Sequence, residues 1–212
     1  MLSGNFEFAG NWLDKCEDFA DKICNRDFQS RAARKRADLL TVNGELDSAL
    51  TLISRYINLE SIPKTRYEIY LLGSLGEVYR CLKDYKNAKK AFDLLLTMAS
   101  DRGIIGWAAH ANLALANLYC DSSCDNHAFE NSLEYLNKAK ALYEKIQQAW
   151  GIINSAIVEF KIVSRFSSVN EDLISKMRDV KRKADDVQYK YEAQIIDKLL
   201  SGMTCDHQLL FL

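Results

Sequence analysis

The stretch YLLGSLGEVYRCLKDYKNAKKAFDLLLTMAS, Tyr70 to Ser100, decides the fold. Apolar residues recur at helical spacing on both sides of a polar break at Lys83-Asp84, which predicts two amphipathic helices folded back on each other. Gly76 and Ala88 stand twelve residues apart, small where two helix backbones would have to approach closely. Leu72, Leu75, Tyr79, Tyr85 and Phe92 supply the large side chains that would pack around them.

The same logic extends in both directions. Upstream, Ala37 and Ala49 repeat the spacing of Gly76 and Ala88, with Asn43-Gly44 as the break between helices, so residues 29–60 read as a first hairpin. Pro63, the only proline, separates the two units because it cannot continue a helix. Downstream, Leu115, Ala116 and Tyr119 stand in the places of Leu75, Gly76 and Tyr79, and Ser132, Leu136 and Ala139 in those of Ala88, Phe92 and Leu95. The intervening loop must then be about four residues longer, an insertion that a surface connection accepts at small entropic cost. Gly103-Ile104-Ile105 recurs as Gly151-Ile152-Ile153, so a fourth unit is expected to open near Trp150, with Ile153, Ile157, Phe160 and Val163 at helical spacing. Residues 5–26 read as an N-terminal capping helix with Phe8, Trp12, Phe19, Ala20 and Ile23 on its sealing stripe. Residues 169–201 read as one long charged helix, whose stripe runs Leu173, Met177, Val180, Ala184, Val187, Tyr191, Ile195, Leu199. It would close the array or extend past it to pair with another helix, and Gly202 would end it before a tail over 202–212.

The anchor stretch resembles the tetratricopeptide repeat, whose signature is a bulky residue, Leu-Gly, Tyr, then Ala and Phe. The resemblance covers about residues 29–166, and the units, a little longer than the usual 34 residues, are similar to those of bacterial regulators and sensors. It implies an all-α fold, a right-handed α-solenoid of about four such hairpins with the capping helix and the long C-terminal helix; another right-handed array of helical hairpins is the alternative. In that family the first helix of each repeat lines a concave groove. Counting Gly76 as the eighth place, the second, fifth, ninth and twelfth places face a partner. The positions implied are Arg31, Arg34, Asp38 and Thr41; Tyr70, Gly73, Glu77 and Arg80; His110, Leu113, Asn117 and Cys120; and Val158, Lys161, Arg165 and Ser168. The groove so implied is mixed and mildly basic, and reversing Arg80 with Lys161 is expected to weaken binding without changing stability. The two-carboxylate clamp of chaperone co-factors is missing: Asp38 and Ser74 stand where Asn is required, and His110 and Ala114 where Lys and Arg are.

Composition limits what else the chain can do. At 212 residues the chain fits one domain, and nine glycines with one proline argue for helix over a turn-rich sheet. With 28 basic and 29 acidic residues the net charge is −1, which provides no long-range field toward nucleic acid or an acidic membrane. Six cysteines scattered through helical pattern fit reduced thiols rather than a disulfide framework. The opening residues lack the basic segment of a secretory leader, and no run approaches the length of a membrane span; a soluble, cytoplasmic protein is expected. Cys120, Cys124 and His127 form a C-x3-C-x2-H cluster that lacks both the tight C-x2-C turn and a fourth zinc ligand, so no metal is expected. No nucleophile motif, phosphate loop or dinucleotide fingerprint occurs, so neither an enzyme nor a cofactor is expected. The basic runs Arg31–Arg36 and Lys181–Lys183 are flanked by acids, the pattern of a solvated helix face, which argues against nucleic acid.

One domain over 1–212 is thus expected, with hairpins over 27–166, acting as a non-catalytic protein-binding scaffold, adaptor or regulatory subunit. A partner segment with acidic character would lie in the groove through Arg34, Arg80, Lys161 and Arg165. The alternative is a sensor in which a bound peptide changes the curvature of the array and releases a second partner. Self-association through the terminal helices is the remaining open reading.

Overall fold

A computed structural model describes residues 6–60, 62–122 and 127–202. Among them are α1 (Phe6–Lys22), α2 (Arg26–Val42), α3 (Leu46–Ser54), α4 (Arg66–Cys81), α5 (Tyr85–Asp101), α6 (Ile105–Asp121), α7 (Ala128–Lys145), α8 (Ala149–Phe166), α9 (Glu171–Asp186) and α10 (Lys190–Leu200), with no strand among the described residues. Each described helix packs on the next in the chain, and the even-numbered ones also touch in series, α2 on α4, α4 on α6, α6 on α8 and α8 on α10. The even-numbered helices therefore form a row with one common face.

One tight turn recurs at six junctions. After Ala20, Leu40, Tyr79, Ala99, Tyr143 and Ala184 the chain bonds an N–H five residues on back to that residue's carbonyl, as in Tyr189 N to Ala184 O at 2.8 Å. The residue just before that N–H has positive φ in every case: Cys24, Gly44, Lys83, Gly103, Gln147 and Gln188. With a second hydrogen bond, from the N–H of the positive-φ residue to the carbonyl three residues before it, this arrangement closes the last carbonyls of a helix and reverses the chain within two or three residues. Only two of the six positions are glycine; at the other four a side chain sits in the left-handed region, at a cost of roughly 1–2 kcal/mol that the packing of the flanking helices offsets.

That turn corrects the long C-terminal helix. The stripe from Leu173 to Leu199 is interrupted at Val187-Gln188-Tyr189, where Gln188 has φ 62° and Val187 is exposed. α9 and α10 are consequently a hairpin, with no glycine or proline to announce the break. The N-terminal stripe is corrected as well. Ala9, Leu13 and Ala20 are the buried residues of α1, whereas Phe8, Trp12, Phe19 and Ile23 are 59, 53, 58 and 43% exposed. The Gly-Ile-Ile echo joins unlike positions: Gly103 is a turn residue with φ 65°, and Gly151 lies inside α8. The tail after Gly202 lies outside the described residues.

The core follows the small-against-large rule anticipated around Gly76. A Cβ built on Gly76 would sit 2.3 Å from the ring of Phe92, and one on Gly151 would sit 2.1 Å from the ring of Tyr143. Both rings are fully buried, so each glycine is the only residue that lets its helix pair close. Ala88, Leu95, Ala116, Leu136, Ala139 and Ile157 continue the packing along the row. Gly151→Ala is expected to lower stability by about 1–3 kcal/mol or to block folding, through overpacking against Tyr143. Gly106→Ala, where the nearest atoms are 3.7 Å away, is expected to be neutral or to stabilise by up to about 1 kcal/mol through helix propensity; chemical denaturation of the two variants checks both.

Candidate functional site

The common face of α2, α4, α6 and α8 divides along the helices into an aromatic half and a charged half. The aromatic half lies near the helix N-termini. Tyr67 meets Tyr70 edge-on at 5.7 Å, and Tyr70 stacks on Trp107 at 4.2 Å and 12°. Trp107 leans on His110 at 4.7 Å, and His110 lies parallel to Trp150 at 6.2 Å. Arginines lie over this row: Arg31 on Tyr67, Arg66 on Tyr70 and Arg34 on Trp107, at 5.9, 5.7 and 5.3 Å. Gly73 permits the row, because a Cβ there would meet Trp107 at 3.1 Å and His110 at 3.2 Å.

Local sequence places these groups. Thr65 caps α4 by accepting from Glu68 N, and the Glu68 carboxylate reaches back to Thr65 N, a reciprocal cap that fixes where the first turn of α4 begins. The Glu68 carboxylate also accepts from Arg26 Nε at 2.7 Å, which ties the start of α2 to the start of α4. Burial alone would raise its pKa, but Arg26 and the amides of Lys64 and Thr65 hold it below the ordinary glutamate value.

The charged half is an internal network. Glu77 Oε2 accepts from Arg80 Nε and Nη2 at 3.0 and 2.9 Å, and Arg80 Nη1 donates to Asp121 at 2.5 Å. Lys161 donates to Asn117 Oδ1 at 2.5 Å and stands 3.7 Å from Asp121. Four residues expected to face a partner, Glu77, Arg80, Asn117 and Lys161, are thus brought together across three helices, but to bind each other. Glu77, Arg80 and Asn117 are buried, so the expectation that Arg80 and Lys161 can be reversed without loss of stability is corrected. Taking a buried charge away from its partners leaves them uncompensated. Burial pushes the Glu77 carboxyl up, with Arg80 pulling back, while Lys161 and Arg80 hold Asp121 below its usual value against its own burial.

Between the halves lies an open recess of about 220 Å³, solvent in its mouth included, lined by Arg34, Asp38, Gly73, Ser74, Glu77, Trp107 and His110. Asp38 is buried there, accepting from Ser74 at 2.5 Å and from Arg34 at 3.3 Å, with Lys35 3.5 Å away. Burial, then the charges of Arg34 and Lys35, push the His110 pKa down to about 3; the imidazole is neutral at any physiological pH. Arg34 Nε and Glu77 Oε1 are buried without a hydrogen-bond partner among the described residues.

Of the remaining expected residues, Tyr70 is half-buried in the aromatic row, and Arg31 and Arg165 are exposed. Arg66, Tyr67, Trp107 and Trp150 belong to this face but fall outside the four places per helix of the repeat count; the signal available was an aromatic residue or Arg in the first turn of α4, α6 and α8. Cys120 is buried, its thiol pushed up to about 11 chiefly by that burial. His127 is exposed at the start of α7, and Cys124 lies outside the described residues. No cluster of three or more His, Cys, Asp or Glu that could hold a metal occurs among the described residues.

At the far end of the row Trp150 Nε1 donates to Glu192 Oε1 at 2.9 Å, joining α8 to α10. Glu192 is buried beside neutral donors only; desolvation raises its pKa, with the side chains of Asn154 and Trp150 offsetting part of the shift. A carboxyl whose folded pKa lies above its unfolded value opposes folding when ionised, and that penalty disappears as pH falls through the folded pKa. Glu192→Gln, which keeps the acceptor for Trp150, is therefore expected to melt higher than the parent at pH 7, with the difference closing as pH drops into the acid range. Arg80→Ala is expected to cost about 3–5 kcal/mol, from the unpaired Glu77 and Asp121 carboxylates, while Arg31→Ala changes stability by less than about 0.5 kcal/mol; denaturation midpoints distinguish the two. Comparison of the chain with protein-family models and with curated proteins finds no match.

Proposed function

We propose that this chain is a tetratricopeptide-like helical-repeat protein that binds an extended or helical protein segment of acidic character along the face shared by α2, α4, α6 and α8. The observation that carries the reading is the row Tyr67, Tyr70, Trp107, His110, Trp150 with Arg31, Arg34 and Arg66 over it. Aromatic and arginine side chains together are the groups most enriched among residues that dominate protein interfaces. Half-buried rings offer contact area at low entropic cost, and exposed arginines at the rim steer an acidic segment. The repeat reading is supported by the recurring turns and by Gly76 and Ala116 at equivalent places. In it the scaffold is a right-handed solenoid whose stiffness lets several hairpins contribute contacts with little ordering on the scaffold side.

A second reading, a sensor, is favoured by one contact. Trp150 ends the aromatic row and also holds Glu192 of α10, so a ligand that moved Trp150 would release α10.

Selection of random peptides against the parent chain and an Arg31→Glu, Arg66→Glu double variant tests the first reading. Both arginines are exposed, so folding is unaffected. The parent is expected to enrich acidic segments that the variant does not hold; enrichment of the same peptides by both, or of none by the parent, overturns it. Solution scattering with a selected peptide then separates the two readings: a scaffold keeps its radius of gyration, and a sensor changes it.

A further inference from the structure

α1 packs on α2 alone among the described helices; Phe8, Trp12 and Phe19 on its outward side, and Ile23 in the turn just past its end, are each close to half exposed or more. Their spacing is four, seven and four residues, the same read in either direction along the chain. We propose that this face is an antiparallel two-fold interface between two copies of the chain. A two-fold axis between Lys15 and Cys16 sets Phe8 against Ile23 of the second copy and Trp12 against Phe19 of the second copy, the self-complementarity that an isologous contact requires.

Charge agrees with that occupant. Asp14 and Glu17 are held by Arg36 of α2, which keeps two of the acids of α1 off the new interface. Lys15, whose ammonium lies 4.8 Å from the Trp12 ring, and Asp18 are three residues apart, so the same two-fold brings each within side-chain reach of the other's opposite charge. A lipid surface fits less well, since α1 carries five acids against two lysines and anionic headgroups would repel it.

Area sets the strength. An aromatic side chain presents about 150–250 Å², so three rings exposed by just over half, with the 43% exposed Ile23, offer roughly 400 Å² of apolar surface per copy. Two copies bury about 800 Å² of it, and the polar rim brings the total toward the 1,200 Å² at which specific interfaces begin. The dimer is accordingly reversible and concentration-dependent, and it leaves the shared face of the even-numbered helices open.

Sedimentation velocity of the full chain over the micromolar range tests the interface. The parent is expected to pass from monomer to dimer, and Trp12→Glu and Phe19→Glu are each expected to remain monomeric with unchanged melting temperatures. Because Cys16 is exposed next to the proposed axis, a chain with Cys24, Cys124 and Cys205 changed to Ser is expected to give a disulfide-linked dimer on mild oxidation, lost again with Trp12→Glu. A parent monomeric throughout, a dimer indifferent to both substitutions, or a dimer in which Cys16 does not cross-link overturns the proposal.

Discussion

Two helix pairs of this protein, α4 with α5 and α7 with α8, depend on one steric constraint, an aromatic ring seated where the opposing helix has no side chain. Phe92 lies on Gly76 and Tyr143 on Gly151, each within a distance that a methyl group cannot share. A ring wedged in that way fixes the separation and the rotation of both helices at once, because close-packed interiors do not deform continuously. With α4 on α5 and α7 on α8 so locked, the even-numbered helices fall into a row, and the side chains left over on their common face have only each other or solvent to meet.

What happens on that face follows from position along the helices. Near the N-termini the leftover groups are rings and arginines, which stack and remain half-open. Near the C-termini they are carboxylates, an asparagine and basic side chains, which close into the network of Glu77, Arg80, Asn117, Asp121 and Lys161. Buried charges of this kind contribute little net stability compared with apolar packing, but losing any member is costly. The charged half thus acts as a brace between three helices, while the rings and arginines of the aromatic half stay partly open to solvent.

The aromatic residues of α1 illustrate the same sorting at the other side of the molecule. Aliphatic residues, Ala9, Leu13 and Ala20, are buried, while the aromatic ones, Phe8, Trp12 and Phe19, stand exposed. In a helix with apolar residues on more than one side, periodicity identifies the apolar sectors without saying which of them faces the core. An exposed apolar stripe of this size is characteristic of a contact surface.

The hairpin from Tyr70 to Ser100, the small-large spacing around Gly76 and Ala88 and the break at Asn43-Gly44 were determined by the sequence alone, since helix periodicity, small residues and turn glycines are local signals; the start of α8 near Trp150 was anticipated from an echo whose two glycines stand in unlike places. The division of α9 from α10 was decided only by the tertiary structure, because exposed Gln188 carries no turn signature of its own and its left-handed backbone is offset by the packing of α9 and α10 on each other and on α8. The same holds for the site. The resemblance to a repeat family implied Arg31, Arg34, Tyr70, Glu77, Arg80, His110, Asn117 and Lys161 as residues of one face, but whether a charged group on that face meets solvent or another charge depends on how closely the next helix approaches, and that distance is decided by tertiary packing.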